Sequence, residues 1–339
     1  MVSIWGIFLL SAAVIVLAGT RLSRYGDQLA ELSGLGGLWF GMVLMAAATS
    51  LPEVLTTVSA GLMHAPDLAA GDLFGAGMAN MLTLGLIDLL HRQQRVWQQA
   101  ALEQALVAGL AIILTGLAAF FVLFKNEMTH AGIGVGSLVL LFLWVLGMRV
   151  VFRQEDVKRR QREHAHLAKA EADADRVLAG ATKRVALRRA GLGFGAATLG
   201  LLIAAPLLAW SAQALADRTG VSASFIGTSL VALVTSMPEL VVSLASVRLG
   251  AFDLAVGNLF GSNAFNMAAF AFADLAYREG PILSAVSSSH ALTALWSIVL
   301  MCVGLMGILY RVEQRYLLIE PDSVVMMLGY VFGLWLLFG

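Results

Sequence analysis

Two glutamates, Glu53 and Glu239, lie inside long apolar runs, and each closes the same string: Thr49-Ser50-Leu51-Pro52-Glu53 and Thr235-Ser236-Met237-Pro238-Glu239. A carboxylate inside hydrocarbon is costly, so its presence twice calls for a task. On a helix the Thr and Glu of each string are at i,i+4 and the Ser and Glu at i,i+3, which puts both hydroxyls and the carboxylate on one face. Proline has no N–H to donate, so the carbonyls of Ala48 and Val234 lose their helical donor and the helix breaks there. Carboxylate, hydroxyl and carbonyl oxygens are hard ligands, suited to calcium or sodium and poorly suited to zinc or copper. The chemistry this points to is cation binding.

A second matched pair follows, Gly71-Asp72-Leu73-Phe74-Gly75 and Gly257-Asn258-Leu259-Phe260-Gly261. One offset of 186 aligns the two copies from Gly41/Gly227 to Leu89/Leu275, with 19 of those 49 positions identical. The glycines, at i,i+4, have the spacing of closely packed membrane helices. Asn80 and Asn266 add neutral oxygen donors, and Ser262 adds a hydroxyl in the second copy only. Asp72, Ala76 and Asn80 share one helix face, with Asp72 about 12 Å along the axis from Asn80. It reads either as an acid favoured near a helix N-terminus or as a relay for a cation or proton on the access path. Asp67 and Asp253 read as helix N-caps. Asp88 and Asp274 recur at span ends, and His290, near the start of the ninth span, reads as interfacial, with a proton-carrying group as the alternative. His64, His91, His130, His164 and His166 fall in or beside loops.

The elements that must position these residues are membrane helices. The chain is 59% hydrophobic and 13% charged, with a mean hydropathy of +0.83, which excludes a soluble globule. Ten apolar stretches are expected to span the bilayer, at about 3–20, 39–62, 68–90, 100–123, 131–152, 191–212, 225–248, 253–275, 283–310 and 324–338. The ninth is long enough to begin with a turn at Ser287-Ser288-Ser289. Strand readings fail on length and alternation. The single cysteine, Cys302, excludes an internal disulfide framework. Met1-Val2-Ser3-Ile4-Trp5 lacks a basic leader and reads as the start of a retained first span. Residues 1–153 and 190–339 form two five-helix halves, joined by a linker at 154–189 with ten Lys/Arg and six Asp/Glu, whose composition favours exposed helix.

Placing that basic linker in the cytoplasm puts Arg21, Arg24, Arg92, Arg95, Arg248, Arg311 and Arg315 inside, leaving only Lys125, Arg218 and Arg278 in external connections. Both termini are then outside the cytoplasm, in an inner (plasma) membrane protein. Two similar five-span halves of opposite orientation make an inverted repeat about an axis in the membrane plane. Glu53, Asn80, Glu239 and Asn266 all lie within about two residues of their span midpoints, or about 3 Å. The expected fold is therefore an all-α polytopic membrane protein of ten helices in two inverted five-helix repeats.

With those residues in view, the paired strings resemble the two alpha-repeats of the calcium/cation antiporter superfamily, in the branch containing Na⁺/Ca²⁺ exchangers. The resemblance implies antiport by alternating access, with calcium and its counter-ions sharing a central site. It implies Glu53 and Glu239 as calcium ligands, Thr49 and Thr235 through their carbonyls, and Ser50, Ser236 and Ser262 as sodium-side ligands. Asn80 and Asn266 complete that ring, and the carbonyls of Ala46 and Ala232 correspond to an outer sodium position. Three departures stand out. Gly75-Ala76-Gly77 replaces the family's Gly-Ser-Asn, Asn266 stands where sodium exchangers often carry Asp, and Asp72 stands where Asn is usual.

Two glutamates carry about −2, which one Ca²⁺ neutralises, and an empty carrier would need sodium or protons on both before crossing. The order Thr-Ser-x-Pro-Glu favours Ca²⁺/Na⁺ exchange. The missing hydroxyl at Ala76 keeps Ca²⁺/H⁺ exchange open, with the same glutamates as proton carriers. A cation channel lined by Glu53 and Glu239 is a further alternative, and Mg²⁺ or Mn²⁺ would suit the same oxygens. No HExxH or GxSxG string supports an intramembrane enzyme. The expected partners are lipids and transported cations, with no nucleic acid and no resident cofactor.

Overall fold

The computed structural model describes residues 1–33, 48–90, 102–151, 180–310 and 321–338. Apolar stretches without interior turn signals become helices: α1 Val2–Ser33, α2 Leu51–Leu62, α3 Pro66–Leu90, α4 Leu102–Phe124 and α5 Val135–Val151 in the first half. The second half holds α6 Gly180–Thr219, α7 Ala223–Thr235, α8 Met237–Arg248, α9 Phe252–Ala276, α10 His290–Tyr310 and α11 Pro321–Phe338. Five of these, α1, α3, α4, α6 and α10, are each long and apolar enough to cross a membrane. The pair α7 and α8, bent by 40° at Ser236, makes a sixth. Counting that pair once gives ten helices of more than two turns among the described residues, matching the ten expected spans. In α9 the side chains of Asn258, Asn263 and Asn266 dilute the apolar character that its 25-residue length would otherwise provide.

Helix packing follows the duplication. α1 runs along α6 and α4 along α10, each pairing a helix with its own copy. The remaining contacts come as twins: α9 on α4 matches α3 on α10, α2 on α6 matches α8 on α1, and α9 on α2 matches α3 on α7 and α8. α11 packs on α3, and on the other side Trp144 of α5 meets Phe265 of α9, ring centroids 5.2 Å apart. Exchanging the halves thus maps the packing onto itself. Five spans per half bring the second half in from the opposite side, so the repeat is inverted. α3 and α9 form the centre, buried on nearly every face.

One end of the molecule is built from the connections after α2, α4, α6 and α9. His64 Nδ1 lies 3.2 Å from Glu279, Lys125 donates to the carbonyls of Ser284 and Val286, and the Ser284 hydroxyl donates to the carbonyl of Asn126. These connections belong on one side under the ten-span alternation. It also contains a minimal antiparallel hairpin, Thr129–His130 with Ile133–Gly134, where only helix and loop were expected.

Asp88 and Asp274 gain an account here. Asp274 accepts the backbone N–H groups of Gly134 (2.9 Å) and Ile282 (3.0 Å), and Asp88 accepts the Ser323 hydroxyl at 2.6 Å. Each carboxylate ties the end of its helix to a segment of the opposite half. Three other readings change. Pro66 takes the first helical position, so Asp67 lies in the first turn rather than at the cap; the second cap is Ala251, which likewise places Asp253 inside. His290 is buried, 1% exposed, rather than interfacial. α6 starts at Gly180 and runs to Thr219, well beyond the 191–212 expected. α10 does begin just after Ser287-Ser288-Ser289, behind a short helical turn at Ile282–Ala285. His91, His164, His166 and most of the basic linker lie outside the described residues.

Candidate cation site

The two Thr-Ser-x-Pro-Glu strings break their helices at the serine. Ser50 has φ −85° and ψ 4°, and Ser236 has φ −84° and ψ 1°, both outside helical geometry and nearly identical. The proline that follows occupies the first turn of α2 or α8, where its missing N–H costs nothing. In the second copy the approach is distorted as well, because Gly227–Val231 winds as a π-helix, a form that concentrates at functional sites. The first copy's approach, residues 34–47, lies outside the described residues, and Ala46 with it.

Close packing brings the broken helices to the centre. A Cβ at Gly71 would meet the Ser224 carbonyl oxygen at 3.0 Å, and one at Gly75 would meet the Thr228 oxygen at 2.5 Å and the Ala232 Cβ at 2.8 Å. Only glycine lets the α3 backbone lie this close to α7.

The side chains then interlock across the halves. The Ser236 hydroxyl donates to Glu53 Oε1 at 3.1 Å, and the Ser50 hydroxyl reaches Glu239 Oε1 at 3.3 Å. Ser262 donates to the same Glu239 oxygen at 3.2 Å and lies 2.8 Å from the Ser50 hydroxyl. Ala76 holds the twin position and offers Glu53 nothing comparable. One layer away, Thr235 donates to Asp72 at 2.9 Å and Thr57 to its other oxygen at 3.2 Å. The twin cluster has Thr49 donating to Asn258 at 3.3 Å and Asn258 donating to Ser243 at 3.2 Å. Thr235 Oγ1 is also 3.3 Å from the Ala232 carbonyl, which accepts the Ser236 N–H. Asn80 donates to Asn263 Oδ1 at 2.7 Å.

Glu53, Glu239 and Asp72 are completely buried and close enough to repel one another electrostatically. Among the described residues no basic side chain is ion-paired with any of them. On the glutamates and the two repeat asparagines, four buried oxygens have no hydrogen-bond partner among the described residues: Glu53 Oε2, Glu239 Oε2, Asn80 Oδ1 and Asn266 Oδ1. Native interiors seldom leave such atoms unpaired. No trio of His, Cys, Asp or Glu among the described residues is arranged to hold a metal, so a cation here would rely on amide and hydroxyl oxygens as well.

Ser50, Ser236 and Ser262, which reach the two glutamates, are among the residues the sequence singles out, whereas Thr57, Ser243 and Asn263 are not. Thr57 and Ser243 were detectable: they are twins at the same offset of 186, and each falls four residues after its glutamate. Asn263 replaces a glycine, Gly77, in the first copy, so the duplication gave no signal for it.

Residues 3–160 and 190–339 match the family described as sodium/calcium exchanger protein. The chain belongs to that family. This exchanger-family protein is 28% identical over 254 residues to the inner membrane protein YrbG of Escherichia coli, covering 75% of this chain and 74% of YrbG. It is 26% identical over 273 residues to the putative antiporter CaxA of Alkalimonas amylolytica, covering 78% and 77%. A shorter stretch of 52 residues, 15% of each chain, is 46% identical to the sodium/calcium exchanger MaX1 of Methanosarcina acetivorans. In fold it is similar to native YfkE, with a TM-score of 0.69 at 15% identity over 98% of this chain and 91% of that one. It is also similar to the sodium-calcium exchanger NCX_Mj, with a TM-score of 0.59 at 20% identity over 99% of both chains. The protein is thus a membrane cation antiporter built as two inverted repeats.

Proposed function

We propose that this antiporter exchanges Ca²⁺ for Na⁺ by alternating access, with Glu53 and Glu239 as the central ligands. The observation that carries the reading is the set of four unpaired buried oxygens on Glu53, Glu239, Asn80 and Asn266. Two carboxylates and two amides from both halves form a hard, partly anionic ligand set, and Ca²⁺ takes 6–8 such oxygens. Thr49 and Thr235 contribute backbone carbonyls, and Ser50, Ser236 and Ser262 hydroxyls serve sodium once calcium has left. The Ala232 carbonyl, with that of Ala46, forms an outer sodium position. No resident cofactor takes part; the partners are lipid and the transported cations, and the termini face away from the cytoplasm. The 52-residue match to a named sodium/calcium exchanger supports the sodium assignment.

Asp72 acts as a relay on the outer side of the path. Its link to Thr235 supports this, since that residue's carbonyl belongs to the ligand set.

One observation favours Ca²⁺/H⁺ exchange as a second reading. Among the described residues Glu239 meets the hydroxyls of Ser50 and Ser262, whereas Glu53 meets that of Ser236, so fewer sodium-side hydroxyls face Glu53 there. Uptake of ⁴⁵Ca into proteoliposomes under separately imposed sodium and pH gradients decides between them. A sodium gradient alone should drive uptake. Uptake driven only by a pH gradient selects the second reading, flux needing neither counter-ion selects a channel, and no driven flux ends the antiport assignment.

A further inference from the structure

Away from the cation site, at the outer end of α7, a buried histidine holds the start of the broken span. His290 opens α10 and is 1% exposed. Its Nε2 lies 2.9 Å from the Ser224 hydroxyl, in the first turn of α7, and 3.5 Å from Asp67 Oδ1, in the first turn of α3. Asp67 Oδ1 is fixed in turn by the Ser287 N–H at 2.7 Å. The other ring nitrogen, Nδ1, is buried and has no partner. Two acceptors facing Nε2 and none facing Nδ1 favour the tautomer with its hydrogen on Nε2.

We infer that His290 is a positioning residue for α7, acting through Ser224 as a latch that a proton arriving from the outer face releases. A doubly protonated ring carries an N–H on each nitrogen. In the closed contact the one on Nδ1 would be a charged donor without an acceptor in a dry setting, and that penalty exceeds what a partly exposed Asp67 can return. The charged ring is therefore accommodated when the outer end of α7 lifts and water reaches Nδ1. The charged groups facing His290 are Asp67 from α3 and Lys125 from the end of α4. α7 presents only the neutral Ser224, and the end of α11 that meets α7 there, at Phe338, is apolar. Ser224 lies about two turns ahead of Ala232 and about three ahead of Thr235, across the π-helical Gly227–Val231, so its release alters how firmly those residues are held against α3.

The device is one-sided. The offset of 186 that pairs the two halves puts Gln104 opposite His290, and glutamine does not titrate. Gln104 is likewise buried and lies against Gly257 of α9. The same position thus responds to protons on the outer face and not on the inner one.

Amide hydrogen exchange over residues 222–231 of the full-length protein in nanodiscs, corrected for intrinsic rates, reads the latch without requiring transport. Between about pH 8 and about pH 5.5, where imidazole titrates, protection in the wild type should fall by about 2- to 10-fold, the effect of losing one such hydrogen bond. In His290→Gln it should be independent of pH, and in Ser224→Ala it should be low at both values. In proteoliposomes of one orientation, His290→Gln should also lose the response of exchange to pH at the outer face and keep the response at the inner face. Wild-type pH dependence in His290→Gln, or full protection in Ser224→Ala, overturns the proposal. Absence of flux in every variant counts against the antiport reading, and the amide arm still decides the latch.

Discussion

Ser236 of the second half donates to Glu53 of the first at 3.1 Å, while Ser50 of the first half reaches Glu239 of the second at 3.3 Å. Neither glutamate is held by the serine of its own string. The helix break makes this possible, because it turns each serine away from its own helix and toward the opposite copy. A cation between the glutamates would be bound by both halves at once, which is what rocking one half against the other about a central site requires.

If the glutamates are the central ligands, Glu53→Gln or Glu239→Gln should reduce exchange by at least about 100-fold, since each removes a full ligand charge from a dry site. Both proteins should still insert and fold, because the amide keeps the shape and one acceptor for the serine. Flux in proteoliposomes with thermal unfolding as a control provides the check. Robust exchange in either variant would refute the site.

The two breaks in symmetry can be repaired separately. Ala76→Ser supplies Glu53 with the hydroxyl that Ser262 gives Glu239, and half-activation by sodium should shift to about 2- to 10-fold lower concentration. Asp72→Asn reproduces Asn258 and removes one buried carboxylate, so apparent cation affinity should weaken. Flux titrations in sodium and calcium measure both. Unchanged affinity in Asp72→Asn would remove that residue from the transport path.

Gly75→Ala tests the packing that brings α7 to the site. Its Cβ would lie 2.5 Å from a backbone oxygen and 2.7 Å from a Cα of Thr228, atoms that cannot rotate aside. We expect destabilisation of about 1–3 kcal/mol, read as a lower unfolding midpoint. Gly109→Ala, where a Cβ meets nothing within 4 Å, is the matched control and should be neutral or slightly stabilising.

Much of this was legible in the chain because a membrane helix announces itself by length, and an acid inside one announces itself by cost. The ten spans, the duplicated string and the serine partners of Glu53 and Glu239 all come from those signals. The hidden remainder depends on tertiary neighbours. Burial of His290 results from how α3, α7 and α10 meet, and nothing local to Ser289-His290-Ala291 encodes it. The cap at Asp67 was misread because Pro66 already fills the first helical position. Asn263 was missed because its twin is a glycine, so the repeat that exposed the other residues was silent there.

The crossing of serine and glutamate between copies also bears on ancestry and assembly. A half of this chain on its own would carry one of the two string glutamates and one broken helix, with the serine aimed at a partner that is not there. Two identical halves inserted in opposite orientations would restore both crossings at once. The arrangement therefore retains the logic of a dual-topology dimer. Joined in one chain, the two copies are free to diverge, as Asp72 and Asn258 have done.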